Sequence, residues 1–204
     1  MIPLFPLHTV LFPGGVLPLH VFEERYRILV QERLDFGVVL IRRGREVGPS
    51  SAEQLHSVGT AATLQRVDAL PDGRFSVLAR GLHRFRLLGV EPGRPYLMGR
   101  VYRLEEPPQI AGTRLLGLLE RYLAAHGVAL GSRLGPELQL PPGAGPQRAV
   151  WLVGALLRVE PFRRQELLET GDPDLAAALL QAELAKLSSI GRLGPMQPRP
   201  PAPN

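Results

Sequence analysis

Short apolar runs of strand length fill the first hundred residues, with one helical stretch among them, and helical spacing takes over beyond. Ile2 and Leu4, then Val10, Leu11 and Phe12, are runs broken by prolines. Pro13-Gly14-Gly15 is a turn signal, and Val16 to Leu19 reads as another short strand. From Val21 the period changes. Val21, Phe22, Arg25, Tyr26, Leu29, Val30 and Arg33 fall at helical spacing, with Glu23 and Glu24 near the positive end of the helix dipole, and predict a helix over Val21 to Leu34.

Phe36 to Ile41 is a continuous apolar strand ended by Arg42-Arg43-Gly44-Arg45. Val58 to Asp68 has a strand rhythm, and Pro71-Asp72-Gly73 makes a hairpin turn. Arg74 to Ala79, Arg84 to Val90 and Tyr96 to Leu104 read as further strands. Many short strands around one helix suggest a compact barrel-like unit. Strand signals stop at Glu105-Glu106-Pro107-Pro108. Leu115 to Leu123, Val150 to Leu157 and Arg163 to Leu168 then read as helices. Asp172-Pro173-Asp174, a cap followed by proline at the first helical position, opens a last helix that Gly191 is expected to stop. The predicted organisation is a β-rich unit over 1–105, a helical unit over 106–191 with an extended Gly/Pro-rich loop inside it, and a disordered Pro-rich tail over 192–204.

Composition narrows the chemistry. With 45% hydrophobic and 21% charged residues in a chain of 204, there is enough apolar material for a real core. Residues 1 to 22 carry no Asp, Glu, Lys or Arg, but Pro3, Pro6, Pro13 and Pro18 forbid a membrane helix there, and no basic residue precedes the apolar run as a secretory signal would require. Cysteine is absent, which removes disulfides, thiol nucleophiles and cysteine metal sites and fits a reducing cytoplasm. Lys186 is the sole lysine and Asn204 the sole asparagine, a usage that fits a GC-rich genome and suggests a thermophilic one, although the better-attested heat signature enriches lysine as well as glutamate.

A phosphate-binding loop needs a lysine behind a glycine-rich turn, and Lys186 sits in an apolar-patterned helix without one. A Ser-Lys dyad could draw only on Ser188 and Ser189 beside it, where a solvated helix end is the plainer reading. His8, His20, His56, His83 and His126 show no metal-ligand spacing, and Glu23 and Glu24 point about 100° apart on a helix and cannot flank one bond. No catalytic group, metal or cofactor is expected.

The motifs Leu4-Phe5-Pro6-Leu7, Val10-Leu11-Phe12-Pro13-Gly14, Leu17-Pro18-Leu19-His20-Val21-Phe22-Glu23-Glu24-Arg25-Tyr26, Phe36-Gly37-Val38-Val39-Leu40, Val58-Gly59-Thr60 and Leu70-Pro71-Asp72-Gly73-Arg74, followed by Arg80-Gly81 and Arg84-Phe85, keep a characteristic order and spacing. In these the chain resembles the Lon substrate-binding domain family, the N-terminal domain of ATP-dependent Lon proteases that also occurs in short stand-alone proteins. The resemblance implies an α+β fold: a PUA-like β pseudo-barrel with one embedded helix, followed by an α-helical bundle. It also implies a non-catalytic module that binds unfolded or exposed hydrophobic polypeptide, or a partner protein.

Candidate apolar anchors are the turn at Leu11, Phe12 and Pro13, and the loop segment holding Leu138 and Leu140; Phe12 and Leu138 equally suit the core, which is the better reading of Phe12. Within the family pattern, Glu23, Arg25 and Tyr26 of the first helix couple to Arg80, which suggests a structural docking role. The arginine clusters Arg42, Arg43 and Arg45, then Arg80, Arg84 and Arg86, then Arg163 and Arg164, raise nucleic acid as an alternative partner. A net charge of +5 and 6% aromatic residues favour a solvated face instead. A small-molecule or peptide-terminus sensor is a third class. The oligomeric state is left open.

Overall fold

The computed structural model describes residues 1–43, 52–91, 95–105, 113–126 and 146–192. Among the described residues six strands and five α-helices follow one another: β1 (Ile2–Leu7), β2 (Val16–Val21), α1 (Glu24–Gln31), β3 (Phe36–Ile41), β4 (Leu55–Ala69), β5 (Phe75–Glu91), β6 (Met98–Arg103), α2 (Thr113–Ala125), α3 (Pro146–Leu156), α4 (Pro161–Thr170) and α5 (Pro173–Arg192).

The strands form one mixed sheet in the order β2-β5-β4-β3-β1-β6, and a further pairing of β6 with β5 turns the sheet back on itself. The closure has an asymmetry that matters below. β6 pairs with Phe85 to Glu91, the second half of β5, whereas β2 pairs with Phe75 to Arg80, the first half. β1 runs parallel to β3 from Leu4 to Leu7 but meets β6 only at Ile2 and Pro3.

Where sequence and structure differ, pairing explains it. Val21 is not the start of α1 but the end of β2, opposite Phe75, so the helix begins at Glu24; it ends at Gln31, and Arg33 beyond it takes a positive φ of 51°. The two strands expected over Arg74–Ala79 and Arg84–Val90 are one strand of 17 residues, because β4 is long enough to pair along both parts. Val10 to Phe12 form no strand; they cross the sheet beside β4 and β5, where the Leu11 carbonyl accepts from Thr60 and the Phe12 carbonyl lies against Gly81, while the Phe12 ring packs among the helices. The Pro71-Asp72-Gly73 turn is as expected: Gly73 has φ 79°, and the Asp72 carboxylate accepts the Arg74 N–H at 3.1 Å. At the start of α5, Asp172 accepts the Asp174 N–H at 2.8 Å, and the helix passes Gly191 by one residue.

Helices α2, α3, α4 and α5 pack on the outer side of β3 and β4. One core holds Leu119, Tyr122, Val153, Leu167 and Leu180 together with Phe12, Leu40 and Val58 of the sheet unit. Its centre is Phe12. A Cβ at position 154 would lie 2.3 Å from the Phe12 ring, so only glycine lets α3 come this close. Trp151 lies 6.1 Å from the same ring, centroid to centroid, and the Arg164 guanidinium 5.6 Å from its centroid.

Polar groups tie the seam. Arg84, which strand alternation directs at the helices, donates to the carbonyls of Leu168 (2.9 Å) and Glu169 (3.1 Å) in the last turn of α4 and to that of Glu105 (3.2 Å), and lies over Trp151. A cation there meets the negative end of the helix dipole and satisfies carbonyls that a helix end leaves open. Arg164 donates to the carbonyls of Gly154 and Val10, both at 3.0 Å, while its burial pulls its pKa below the ordinary arginine value. Buried Thr60 donates to the Leu11 carbonyl at 2.6 Å, and Gln165 to that of Val58 at 2.9 Å.

Candidate functional site

β2 and the second half of β1 stand on opposite sides of a cleft of about 250 Å³. Phe5, Pro6 and Leu7 form one wall and Leu17, Pro18, Leu19 and Val21 the other, with Phe22, Glu23 and Tyr26 lining it from the start of α1. The cleft exists because the sheet closes through β6 at one end only. Beyond Pro3, β1 parts from β6, and among the described residues β2 pairs only with β5.

Two prolines mark the facing edges. Leu4 donates its N–H to Leu97 on the side away from β3. Alternation along the strand therefore puts Pro6, not Phe5 or Leu7, on that side. On β2 the same logic points Pro18 away from β5, because proline has no N–H to give a ladder. The free edge of β2 thus carries the Pro18 carbonyl and both backbone groups of Val16 and His20. Such an edge with proline in its middle resists casual pairing.

At the end of the cleft, α1 is fixed by aromatic packing. Tyr26 stacks on Phe5 with ring centroids 3.9 Å apart and planes 13° apart, Arg25 lies 4.4 Å over the Tyr26 ring, and Glu23 accepts from Arg25 at 2.9 Å. Phe22 escapes this packing and is 55% exposed. Tyr96 adds a bond from its hydroxyl to Glu32 at 2.7 Å. The lining holds one carboxylate, Glu23, already engaged by Arg25, and one imidazole, His20. What the cleft offers is apolar contact and backbone hydrogen bonding. Among the described residues no group of three His, Asp or Glu side chains is placed to hold a metal ion, and no helix is long and apolar enough to cross a membrane.

The family model of the ATP-dependent protease La (LON) substrate-binding domain matches residues 1–186. The chain belongs to that family. Its curated relatives include Lon protease 2 of Myxococcus xanthus, 30% identical over 188 residues that cover 84% of this chain and 22% of the relative, and Lon protease of Phenylobacterium zucineum, 30% identical over 195 residues covering 92% and 25%. The chain therefore spans about a fifth to a quarter of the length of such relatives. Among solved structures, the Lon N-terminal domain protein from Xanthomonas campestris superposes with a TM-score of 0.64 at 27% identity, covering 89% of this chain and 96% of that one. The N-terminal domain of Mycobacterium avium complex Lon protease shares the fold, with a TM-score of 0.56 at 17% identity and coverage of 90% and 97%.

In this Lon-family domain the residues singled out from the sequence have different fates. Leu11 and Phe12 are 4% and 1% exposed: Phe12 is in the core, the reading preferred for it from the sequence, packed against the helices, and Leu11, offered as a surface anchor, is instead packed inside the sheet unit, with Pro13 half-buried beside them. Leu138, Leu140 and Arg45 lie outside the described residues. Arg42 and Arg43 are exposed at the end of β3. Arg84 is withdrawn from the basic surface because three main-chain carbonyls hold it in the seam. Arg80 lies on β5 opposite Val16, half-buried, and Glu23 pairs within its own turn with Arg25. Lys186 pairs with Glu183, and Ser188 and Ser189 donate to the carbonyls of Leu184 and Lys186 on an exposed helix face.

Sequence reasoning missed Phe22, Pro6 and Pro18 as site residues. The available signal was proline inside strand-length apolar runs, which marks edge strands.

Proposed function

We propose that this Lon-family domain is a non-catalytic recognition module that engages unfolded or exposed apolar polypeptide segments, or a partner protein, at the cleft between β1 and β2. The reading extends the family's description to this chain. The observation that carries it is Phe22, 55% exposed at an apolar cleft with open backbone edges. The ring-like sheet and its helical layer fit a PUA-like pseudo-barrel joined to a helical bundle, and the cysteine-free composition fits the cytoplasm.

The test is binding of a fluorescent unfolded polypeptide at low and raised salt. Binding that survives salt and falls at least fivefold in Phe22→Ser supports the reading. Binding unaffected by that change removes the cleft from it.

Nucleic acid is a second reading, favoured by one observation. On the outer face of β5 and β6, Arg86 stands opposite Tyr102, which is 58% exposed, and Arg100 lies two residues along the same strand. An aromatic between arginines suits a stacked base with its phosphates. Single-stranded RNA binding that collapses with salt and is lost in Tyr102→Ala, while the unfolded polypeptide fails to bind, would favour it over the first.

A further inference from the structure

We propose that the cleft takes its polypeptide as an added β-strand, hydrogen-bonded antiparallel to the free edge of β2 and filling the gap in the sheet between β2 and β1. The inference rests on the polypeptide reading above and specifies its mode.

Three features lead to it. First, the sheet is complete on every other side of the gap: β5 holds β2, β3 holds β1, and β6 closes the far end. Second, the free edge of β2 presents both backbone groups of Val16 and His20 and the carbonyl of Pro18, at the alternate spacing that an extended chain matches. Third, the walls are apolar, and the lining carboxylate, Glu23, is occupied by Arg25, so uncharged side chains are what the cleft accommodates. An entering strand with alternating apolar residues would direct one set of side chains between Leu17, Leu19 and Phe5, with Phe22 at the mouth.

Pro18 sets the strength of this mode. Opposite it the added strand finds an acceptor but no donor, so one of its own carbonyls stays unpaired. The edge is therefore usable but weakened, which suits reversible capture of many sequences and opposes permanent pairing between copies.

The probe is a fluorescein-labelled ten-residue peptide alternating leucine and serine with blocked ends, compared with two versions N-methylated either at every leucine or at every serine. Side-chain direction and N–H direction alternate together along a strand, so the leucines entering the cleft fix which N–H set faces β2. One methylated version is expected to lose at least tenfold in affinity, and the other to stay within threefold. Pro18→Val, which restores the missing donor at an exposed position, is expected to tighten binding about two- to tenfold.

Equal binding of both methylated peptides, with Phe22→Ser still weakening them, overturns strand addition and leaves the polypeptide reading standing. No binding of any peptide overturns both. Wild-type protein that sediments as a dimer and loses peptide binding as it dimerises would put a second copy on the β2 edge and overturn the proposal.

Discussion

Replacing Gly154 by alanine is expected to change sign in its effect on stability according to what stands at position 12. In the native chain a Cβ at 154 would lie 2.3 Å from two atoms of the Phe12 ring. That ring cannot swing away, because it is 1% exposed and has Trp151 and Arg164 as neighbours. Overpacking of this kind costs about 1–3 kcal/mol, offset by about 1 kcal/mol because alanine is the better helix former. Gly154→Ala alone should therefore destabilise by about 0–2 kcal/mol. Phe12→Ala alone removes a fully buried ring and should cost about 3–5 kcal/mol, which lowers Tm by roughly 6–20 °C in a chain of this size. In the Phe12→Ala background the obstruction is gone, and Gly154→Ala should stabilise by about 1 kcal/mol. The coupling of about 1–3 kcal/mol lies outside the additivity seen for independent sites. Urea unfolding of the four proteins reads it directly. Effects of the two changes that add within about 0.5 kcal/mol would refute the account of Gly154 as a cradle for Phe12.

Three further predictions follow from the seam and the turns. Arg84→Met leaves the carbonyls of Leu168, Glu169 and Glu105 without their donor and is expected to cost about 3 kcal/mol or more, measured by chemical unfolding. Glu23→Ala removes a short-range ion pair that water still reaches, so a loss of at most about 1 kcal/mol is expected. A larger fall in melting temperature would mean that Glu23 helps dock α1 on the sheet. The Arg74 guanidinium holds the Asp72 carboxyl below its ordinary pKa. Its small stabilisation is thus present above that ordinary value and lost as pH falls through the lowered one, and Asp72→Asn should flatten the acid limb of a stability-against-pH curve.

The elements were largely legible because their signals are local. The Pro71-Asp72-Gly73 hairpin, the all-buried β3 and the capped start of α5 are written in a few adjacent residues. Partnerships across the chain were not. Arg84 reads as one of a basic trio with Arg80 and Arg86, and nothing near it says that the end of α4, more than eighty residues on, supplies its carbonyls. Phe12 sits in a run that resembles a strand, but its Gly154 cradle is invisible to local pattern. At Gly81 an Arg-Gly pair reads in the sequence as a break between two strands. In the fold a Cβ there would lie 2.2 Å from the Phe12 carbonyl oxygen, so glycine lets β5 run unbroken beneath the crossing segment. The cleft depends on which half of β5 pairs with β2 and which with β6, a fact of topology and not of composition.

The shared core has a consequence for synthesis. Phe12 precedes Gly154 by 142 residues, so at about 5–20 residues per second the ribosome needs roughly 7–28 s to make the second after the first. Throughout that interval Phe12 lacks the α3 and α4 side chains that cover it, as do Leu40 and Val58 once they are made, with α2 the first of the helical layer to follow. A domain whose family is described by the binding of substrates thus begins its own life displaying the kind of greasy surface that chaperones and proteases patrol for, and its safety during that interval rests on how quickly α3 and α4 emerge and close over it.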